Sequence, residues 1–187
     1  LFASSQVFAQ CTFPCNLVWQ DEFNGETIDE TKWDFQEGTG AEYGLNGWGN
    51  NELQFYLREN ASVQNGNLII TAKYNQYSNS YTSSRIRTKN KADWTYGRFE
   101  MRAKLPSGQG LWPAFWMLPT NSPYGGWAAS GEIDIMESKG SDPSNIYGTI
   151  HFGEQWPSNQ YSGGSFRTNN SANDNFYTYA VEWEPTE

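Results

Sequence analysis

Apolar and polar residues alternate along several short stretches of the chain, which is the pattern of half-buried β-strands. Over residues 97–105 apolar side chains take every second position from Phe99 to Leu105, and charged side chains take the positions between them. The same alternation recurs over residues 177–183. Helical periodicity is scarce by comparison. Further short strands are predicted at 53–57, 68–72, 83–88, 111–118, 131–138 and 146–152.

Turn-forming residues separate these stretches. The Asn65-Gly66 dipeptide precedes the 68–72 strand, and both residues tolerate the positive φ angles of a tight hairpin turn. Clusters of Asn, Gly, Ser and Pro at 121–126 and 159–175 indicate longer turns with little helix. Many short strands joined by polar turns favour an all-β antiparallel sandwich or barrel. The length of 187 residues, without an internal repeat or linker, favours one domain.

Composition excludes several classes of function. With 12 Lys and Arg against 21 Asp and Glu, the chain carries a formal charge of −9, so we expect no nucleic-acid partner. No apolar run is long enough for a membrane span. One His and two Cys cannot assemble a Cys/His zinc cluster. A Ser-His-Asp triad would depend on His151, and no Gly-x-Ser-x-Gly motif supports it.

The first residues resemble the end of a secretory signal peptide. Residues 1–9 are small and apolar and finish in Val-Phe-Ala, so we expect cleavage after Ala9 and a secreted protein, extracellular or periplasmic. Residues 10–187 would then form the mature domain. Export would permit a disulfide between Cys11 and Cys15, and two unpaired thiols are the alternative.

Three carboxylates lie close together in the segment Gly-Glu-Ile-Asp-Ile-Met-Glu-Ser at 131–138. In a regular strand Glu132 and Asp134 would share a face, and Glu137 would point into the apolar layer, where an unpaired carboxylate is costly. A one-residue β-bulge around Ile135 and Met136 would return Glu137 to the face of the other two. The sequence therefore predicts a bulged strand with three acids on one face.

Such a face suits acid–base chemistry. Crowded like charges raise one another's pKa, and a proton held near neutral pH is what a general acid needs. Side chains of Glu132 and Glu137 that lean together could bring their carboxyl groups within about 5–6 Å, near the spacing of retaining glycosidases. A solvated acidic edge strand and a cation site are the alternatives.

The acidic segment, Glu-Ile-Asp-Ile-Met-Glu, resembles the signature of glycoside hydrolase family 16 in its bulged, laminarinase-like form. Other segments agree, in the family's order, over most of the chain from Leu17 to Trp183. They are Trp-Gln-Asp-Glu-Phe at 19–23, Gly-Trp-Gly-Asn-Asn-Glu-Leu-Gln at 47–54, Arg-Ile-Arg-Thr at 85–88, Tyr-Gly-Arg-Phe-Glu at 96–100 and Leu-Trp-Pro-Ala-Phe-Trp-Met-Leu at 111–118.

The resemblance implies a concanavalin-like β-jelly-roll sandwich with a glucan cleft across its concave sheet. By match to the motif, Glu132 would be the nucleophile, Glu137 the acid/base and Asp134 a helper that tunes the nucleophile. Residues expected to contact substrate, by position in the family's motifs or by alternation along 111–118, are Asn50, Arg85, Trp112, Trp116, Trp127 and His151. Phe115 and Met117, on the other face, are expected in the core.

The expected activity is retaining endo-hydrolysis of β-1,3-glucosidic bonds in laminarin-type or mixed-linkage β-glucans, by a monomer that needs no cofactor for the chemistry. Alternatives are another family 16 hydrolase or transglycosylase, such as an agarase or carrageenase, and a non-catalytic β-glucan-binding module. The resemblance also implies a structural calcium, to which Glu22 and carbonyls near Gly66 would contribute. A further calcium ligand comes from a late strand in the family, and we expect the chain to be truncated before its C-terminal strands.

Overall fold

The computed structural model describes residues 16–185, and over this range it is built almost entirely of β-strands. The described residues contain no α-helix, and the helical turns are short 3-10 helices at Ala41–Tyr43, Asn46–Gly49 and Arg58–Asn60. The all-β prediction is confirmed, and the fold is the jelly roll that the resemblance implies. Backbone packing divides it into two compact units, Trp19–Asp93 and, over the described residues, 16–18 with 94–185.

The Trp19–Asp93 unit carries short strands: β1 Asp34–Phe35, β2 Gln54–Tyr56, β3 Ala61–Gln64, β4 Asn67–Ile70, β5 Lys73–Asn75, β6 Ser80–Ser83 and β7 Ile86–Arg87. They pair as β1–β7, β3–β4 and β2–β6–β5. The β3–β4 hairpin turns at Asn65 and Gly66, whose φ angles of 52° and 69° confirm the predicted tight turn. The antiparallel prediction is wrong for one pair, because β2 and β6 run parallel.

The second unit carries the longer strands: β8 Gly97–Ala103, β9 Ala114–Met117, β10 Glu132–Lys139, β11 Asp142–Gly153, β12 Asn159–Arg167 and β13 Tyr177–Trp183. Four of them form an antiparallel sheet in the order β12–β11–β10–β9. The other two, β13 and β8, form an antiparallel pair.

The core of this unit lies between those two sheets. Its buried residues are Leu105, Met136, Ala172 and Tyr179. Around them pack partly buried side chains from both sheets, namely Met101, Ala103, Phe115, Ile146 and Tyr177. The predicted alternation of β8 and the core position of Phe115 are therefore confirmed. One face of β10 is fixed against this core, so its other face is left for polar side chains.

The interpretation of residues 159–175 as turns is wrong over its first half. Residues Asn159–Arg167 form β12, which pairs with β11 along its whole length. Its Asn, Ser and Gly residues have low strand propensity, but hydrogen bonding to a long neighbouring strand overrides propensity. The strand predicted over residues 111–118 is shorter in the structure, where the strand spans only Ala114–Met117.

The predictions for residues 1–9 and for the Cys11–Cys15 disulfide lie outside the described residues. Within the described part of the chain, no helix is long and apolar enough to cross a membrane.

Candidate active site

Strand β10 contains the predicted β-bulge. Toward β11, Asp134 pairs with Thr149 and Glu137 pairs with Tyr147, so three steps on β10 match two on β11. Toward β9 the shift falls between Asp134 and Met136. The extra residue turns Glu137 to the face of Glu132 and Asp134, while Met136 is 1% exposed on the core face. The sequence argument for three carboxylates on one face is confirmed.

Each glutamate of this face accepts a hydrogen bond from a tryptophan. Trp127 Nε1 donates to Glu132 Oε2 at 2.8 Å, and Trp112 Nε1 donates to Glu137 Oε1 at 2.8 Å. Trp112 precedes β9, and Trp127 lies in the loop between β9 and β10. A hydrogen bond to a carboxylate is charge-assisted and roughly twice as strong as a neutral one. The two indoles therefore orient the two glutamates independently, and both rings remain partly exposed at the site.

Asp134 lies between the two glutamates and is 6% exposed. Burial, then the charges of Glu132 and Glu137, raise the pKa of Asp134 from 3.8 to about 7, and the nearby His151 opposes the shift. A hydrogen bond with Glu132 contributes to the same rise in pKa. Asp134 therefore keeps its proton up to about neutral pH and can donate a hydrogen bond to Glu132.

His151 contacts the Asp134 carboxyl group directly. Its Nε2 lies 3.2 Å from Asp134 Oδ2, and its backbone pairs with Glu132 across β10 and β11. The imidazole packs against Trp127, with ring centroids 5.3 Å apart, and against Tyr161 at 6.0 Å. Its Nδ1 is buried and has no hydrogen-bond partner among the described residues. The aromatic contacts and the Asp134 contact therefore hold this ring in place.

Trp116 is also on this side of the sheet, because it pairs with Asp134 across β9 and β10. The structure thus brings together, in one unit, most of the residues predicted from the sequence: Glu132, Asp134, Glu137, Trp112, Trp116, Trp127 and His151. Among the His, Cys, Asp and Glu side chains of the described residues, Glu132, Asp134 and His151 form the one group of three whose ligand atoms lie within 4.8 Å of one another, as a metal site would require.

The remaining predicted substrate contacts, Asn50 and Arg85, lie in the Trp19–Asp93 unit. Asn50 Nδ2 donates to Glu52 Oε1 at 3.3 Å. Arg85 Nε donates to Gln36 Oε1 at 2.8 Å, and its guanidinium lies 4.6 Å from the centroid of the buried Trp48 ring. Both polar side chains are therefore oriented by neighbours within their own unit.

The predicted calcium ligands, Glu22 and Gly66, are in the same unit. A Cβ built on Gly66 would lie 3.7 Å from Asn24 Oδ1, so the hairpin turn runs beside the segment that carries Glu22. Oxygen atoms of this kind are the ligands that calcium prefers.

Sequence reasoning missed Trp156 and Tyr161, two exposed aromatics near Trp127 and His151. Trp156 follows β11 in a polar turn, and a large apolar ring in such a turn is a signal in the sequence that could have found it. Tyr161 was missed because its strand was interpreted as a turn.

The chain is similar to proteins of one family. The model of glycosyl hydrolases family 16 matches residues 47–187. A glucan endo-1,3-beta-glucosidase A1 from Niallia circulans is 49% identical over 90% of this chain, and a beta-glucanase from Rhodothermus marinus is 47% identical over 91%. The chain spans 27% and 60% of those two proteins.

A solved structure agrees with the sequence comparisons. The laminarinase from Rhodothermus marinus superposes with a TM-score of 0.78 and 46% identity, over 90% of this chain and 68% of that one. The bulged acidic strand and these similarities lead to one conclusion: the chain belongs to glycosyl hydrolase family 16.

Proposed function

We propose that this chain carries the catalytic centre of a retaining endo-β-1,3-glucanase that acts on laminarin-type or mixed-linkage β-glucans. The observation that carries the proposal is the bulged strand, whose two glutamates are each oriented by an indole and flank a buried Asp134. Paired carboxylates of this kind are the machinery of glycoside hydrolysis. The names of the similar proteins support the β-1,3 linkage.

In the first step Glu132 attacks the anomeric carbon while the bond to the leaving sugar oxygen breaks. Glu137 gives its proton to that oxygen, and a glycosyl ester of Glu132 forms. In the second step Glu137 takes a proton from water, the water oxygen attacks the anomeric carbon, and Glu132 leaves as a carboxylate. Two inversions retain the anomeric configuration. The steps use side chains and water, and none of them calls for a cofactor.

Asp134 would tune the nucleophile. Its raised pKa leaves a proton available for a hydrogen bond to Glu132, and this bond stabilises the carboxylate that departs in the second step. His151, 3.2 Å away, would limit the rise in the pKa of Asp134 and fix the carboxyl in position.

Neutral sugars offer flat C–H faces and hydroxyl groups, so their sites combine aromatic rings with polar side chains. Trp112, Trp116 and Trp127 supply rings beside the carboxylates. Asn50 and Arg85, in the other unit, are included because of their positions in the family's motifs, and their side chains are oriented by Glu52 and Gln36. We assign all five to substrate binding.

Release of reducing ends from laminarin, lichenan and agarose tests the proposal. We expect release from laminarin and its loss in Glu132→Gln and Glu137→Gln. Glu59→Gln, at an exposed position of the other unit, is the matched control and should retain activity. Release from agarose alone would indicate another hydrolase of the family, and laminarin binding without turnover would indicate a binding module.

We further propose that the chain binds a structural calcium ion, is a monomer and is secreted. We assign Glu22 and the Gly66 carbonyl to the calcium site, because the turn at Gly66 lies beside Asn24, two residues after Glu22, and oxygen atoms of this kind suit calcium. Calcium should therefore raise the melting temperature of the chain, and Glu22→Gln should reduce that rise. An equal rise in melting temperature in the parent and the variant would show that Glu22 is not a calcium ligand.

A further inference from the structure

An exposed tyrosine, Tyr161, extends the row of residues that begins at Glu132. Across the sheet Glu132 pairs with His151, and His151 pairs with Tyr161 on the edge strand β12. Tyr161 therefore lies on the face of the carboxylates. Its Cα is two strand spacings, or about 10 Å, from the Cα of Glu132. It is 74% exposed. This distance places it beyond the sugar unit that contacts Glu132.

Trp156 lies in the turn between β11 and β12 and is 70% exposed. Its ring centroid is 6.2 Å from that of Trp127, the indole that donates to Glu132. Exposed rings next to a functional site mark interaction surfaces, because apolar area left in water is costly. Trp156 and Tyr161 together form what we name the aromatic platform.

The backbone holds the platform in place before any ligand binds. The Trp156 amide donates to the Trp127 carbonyl at 2.7 Å, and the Ser158 amide closes the turn on Gln155. A Cβ on Gly125 would lie 2.6 Å from Gln155 Nε2, so the Gln155 side chain fills the space above that glycine. The turn is therefore attached to the loop of Trp127, and its indole needs little rearrangement to meet a ligand.

We propose that Trp156 and Tyr161 form an additional sugar subsite, which stacks on a glucosyl unit of the polysaccharide outside the two units that flank the cleaved bond. The occupant is a neutral sugar ring, because the platform offers flat apolar faces and is continuous with the carboxylate face. This inference rests on the proposed function, and it adds a preference for long chains over short ones.

Kinetics on long and short substrates test the platform. For Trp156→Ala we expect kcat/KM on laminarin to fall about 3- to 10-fold, the range of one lost aromatic contact. On the shortest laminari-oligosaccharide that the parent chain cleaves, we expect a change of less than about 2-fold. Tyr161→Ala should behave in the same way, and Trp156→Phe should recover most of the loss because it keeps a ring.

Phe166→Ala is the matched control. Phe166 is also 70% exposed and also on β12, but it pairs with Ile146 and so faces the other side of the sheet. It should leave both substrates unaffected. Equal kinetics for Trp156→Ala and the parent would overturn the subsite. An equal fall on long and short substrates would also overturn it, because the residue would then act through Trp127.

Affinity electrophoresis in laminarin gels separates this inference from the proposed function. Retardation of the parent should be weakened by Trp156→Ala and unchanged by Phe166→Ala, in the parent background and in Glu132→Gln. If the parent is retarded without hydrolysing laminarin, and Trp156→Ala weakens that retardation, the hydrolase proposal fails while the subsite stands. If the parent hydrolyses laminarin and Trp156→Ala is retarded as strongly as the parent, the subsite fails alone.

Discussion

Replacing Asp134 by Asn measures how much the ionisation of this buried carboxyl lowers the free energy of unfolding. The amide has the size of the carboxyl group and can still donate a hydrogen bond to Glu132, as the protonated acid does. It cannot ionise. The variant therefore keeps the packing of β10 and removes the titration of Asp134.

The magnitude follows from the pKa of Asp134, which is 3.8 ordinarily and about 7 in the folded chain. Below the lower value both states hold the proton and no penalty exists. Between the two values the unfolded chain releases a proton that the folded chain keeps, so stability falls as pH rises. Above pH 7 the penalty is complete, and at about 1.4 kcal/mol for each pH unit its upper limit is about 4 kcal/mol.

Urea unfolding of the parent and Asp134→Asn at pH 4 and pH 8 measures this penalty. At pH 4 the variant and the parent should differ little in the free energy of unfolding that the titration of Asp134 controls. At pH 8 the variant should be more stable than the parent by up to about 4 kcal/mol, or roughly 10 °C in melting temperature. Asp29→Asn is the control, because hydrogen bonds from Thr31 lower the pKa of Asp29 and no such gain should occur there. An Asp134→Asn difference that is the same at both pH values would refute the reasoning.

Other substitutions test neighbouring parts of the site and core. Trp127→Phe removes the donor to Glu132, so kcat should fall about tenfold, and an unchanged kcat would show that the bond is dispensable. Met136→Ala empties a buried position and should cost about 2–5 kcal/mol in urea unfolding, whereas a cost under about 1 kcal/mol would contradict its core role. His151→Gln removes the interaction that lowers the pKa of Asp134, so the fall in stability that starts near pH 3.8 should extend to higher pH than in the parent, and an unchanged profile would contradict the pairing.

The bulge was predictable because register is a strict constraint. With a side-chain period of two, Glu132 and Glu137 share a face only if one residue is added between them, and the apolar Ile135 and Met136 indicate where. The buried face of β10 and the polar face of the site follow from that single step. The alternation of β8 was predictable for the same reason.

Strand β12 was not predictable from its own residues. Its Asn, Ser and Gly residues indicate a turn, and its extended conformation depends on pairing with β11. The parallel pairing of β2 with β6 likewise depends on contacts between segments rather than on local pattern. Residues that enter the site through such pairing, above all Tyr161, could not be found from the sequence.

The indole donors could be predicted only as aromatic residues near the acids. The spacing of Trp112 and Trp127 in the sequence does not reveal that each donates to a different glutamate, since those contacts are set by the loops on either side of β9. The sequence predicts a raised pKa from the crowding of like charges, but the largest cause of the raised pKa is burial, with the charges of Glu132 and Glu137 second. Its location at Asp134 depends on which carboxyl is most buried.

Trapping of the covalent intermediate tests the central claim most directly. The parent chain is incubated with a 2-deoxy-2-fluoro laminari-oligosaccharide that carries a good leaving group, digested, and analysed by mass spectrometry. The account predicts a fluoroglycosyl ester on Glu132. An ester on Glu137 or Asp134 would contradict the assignment of the nucleophile.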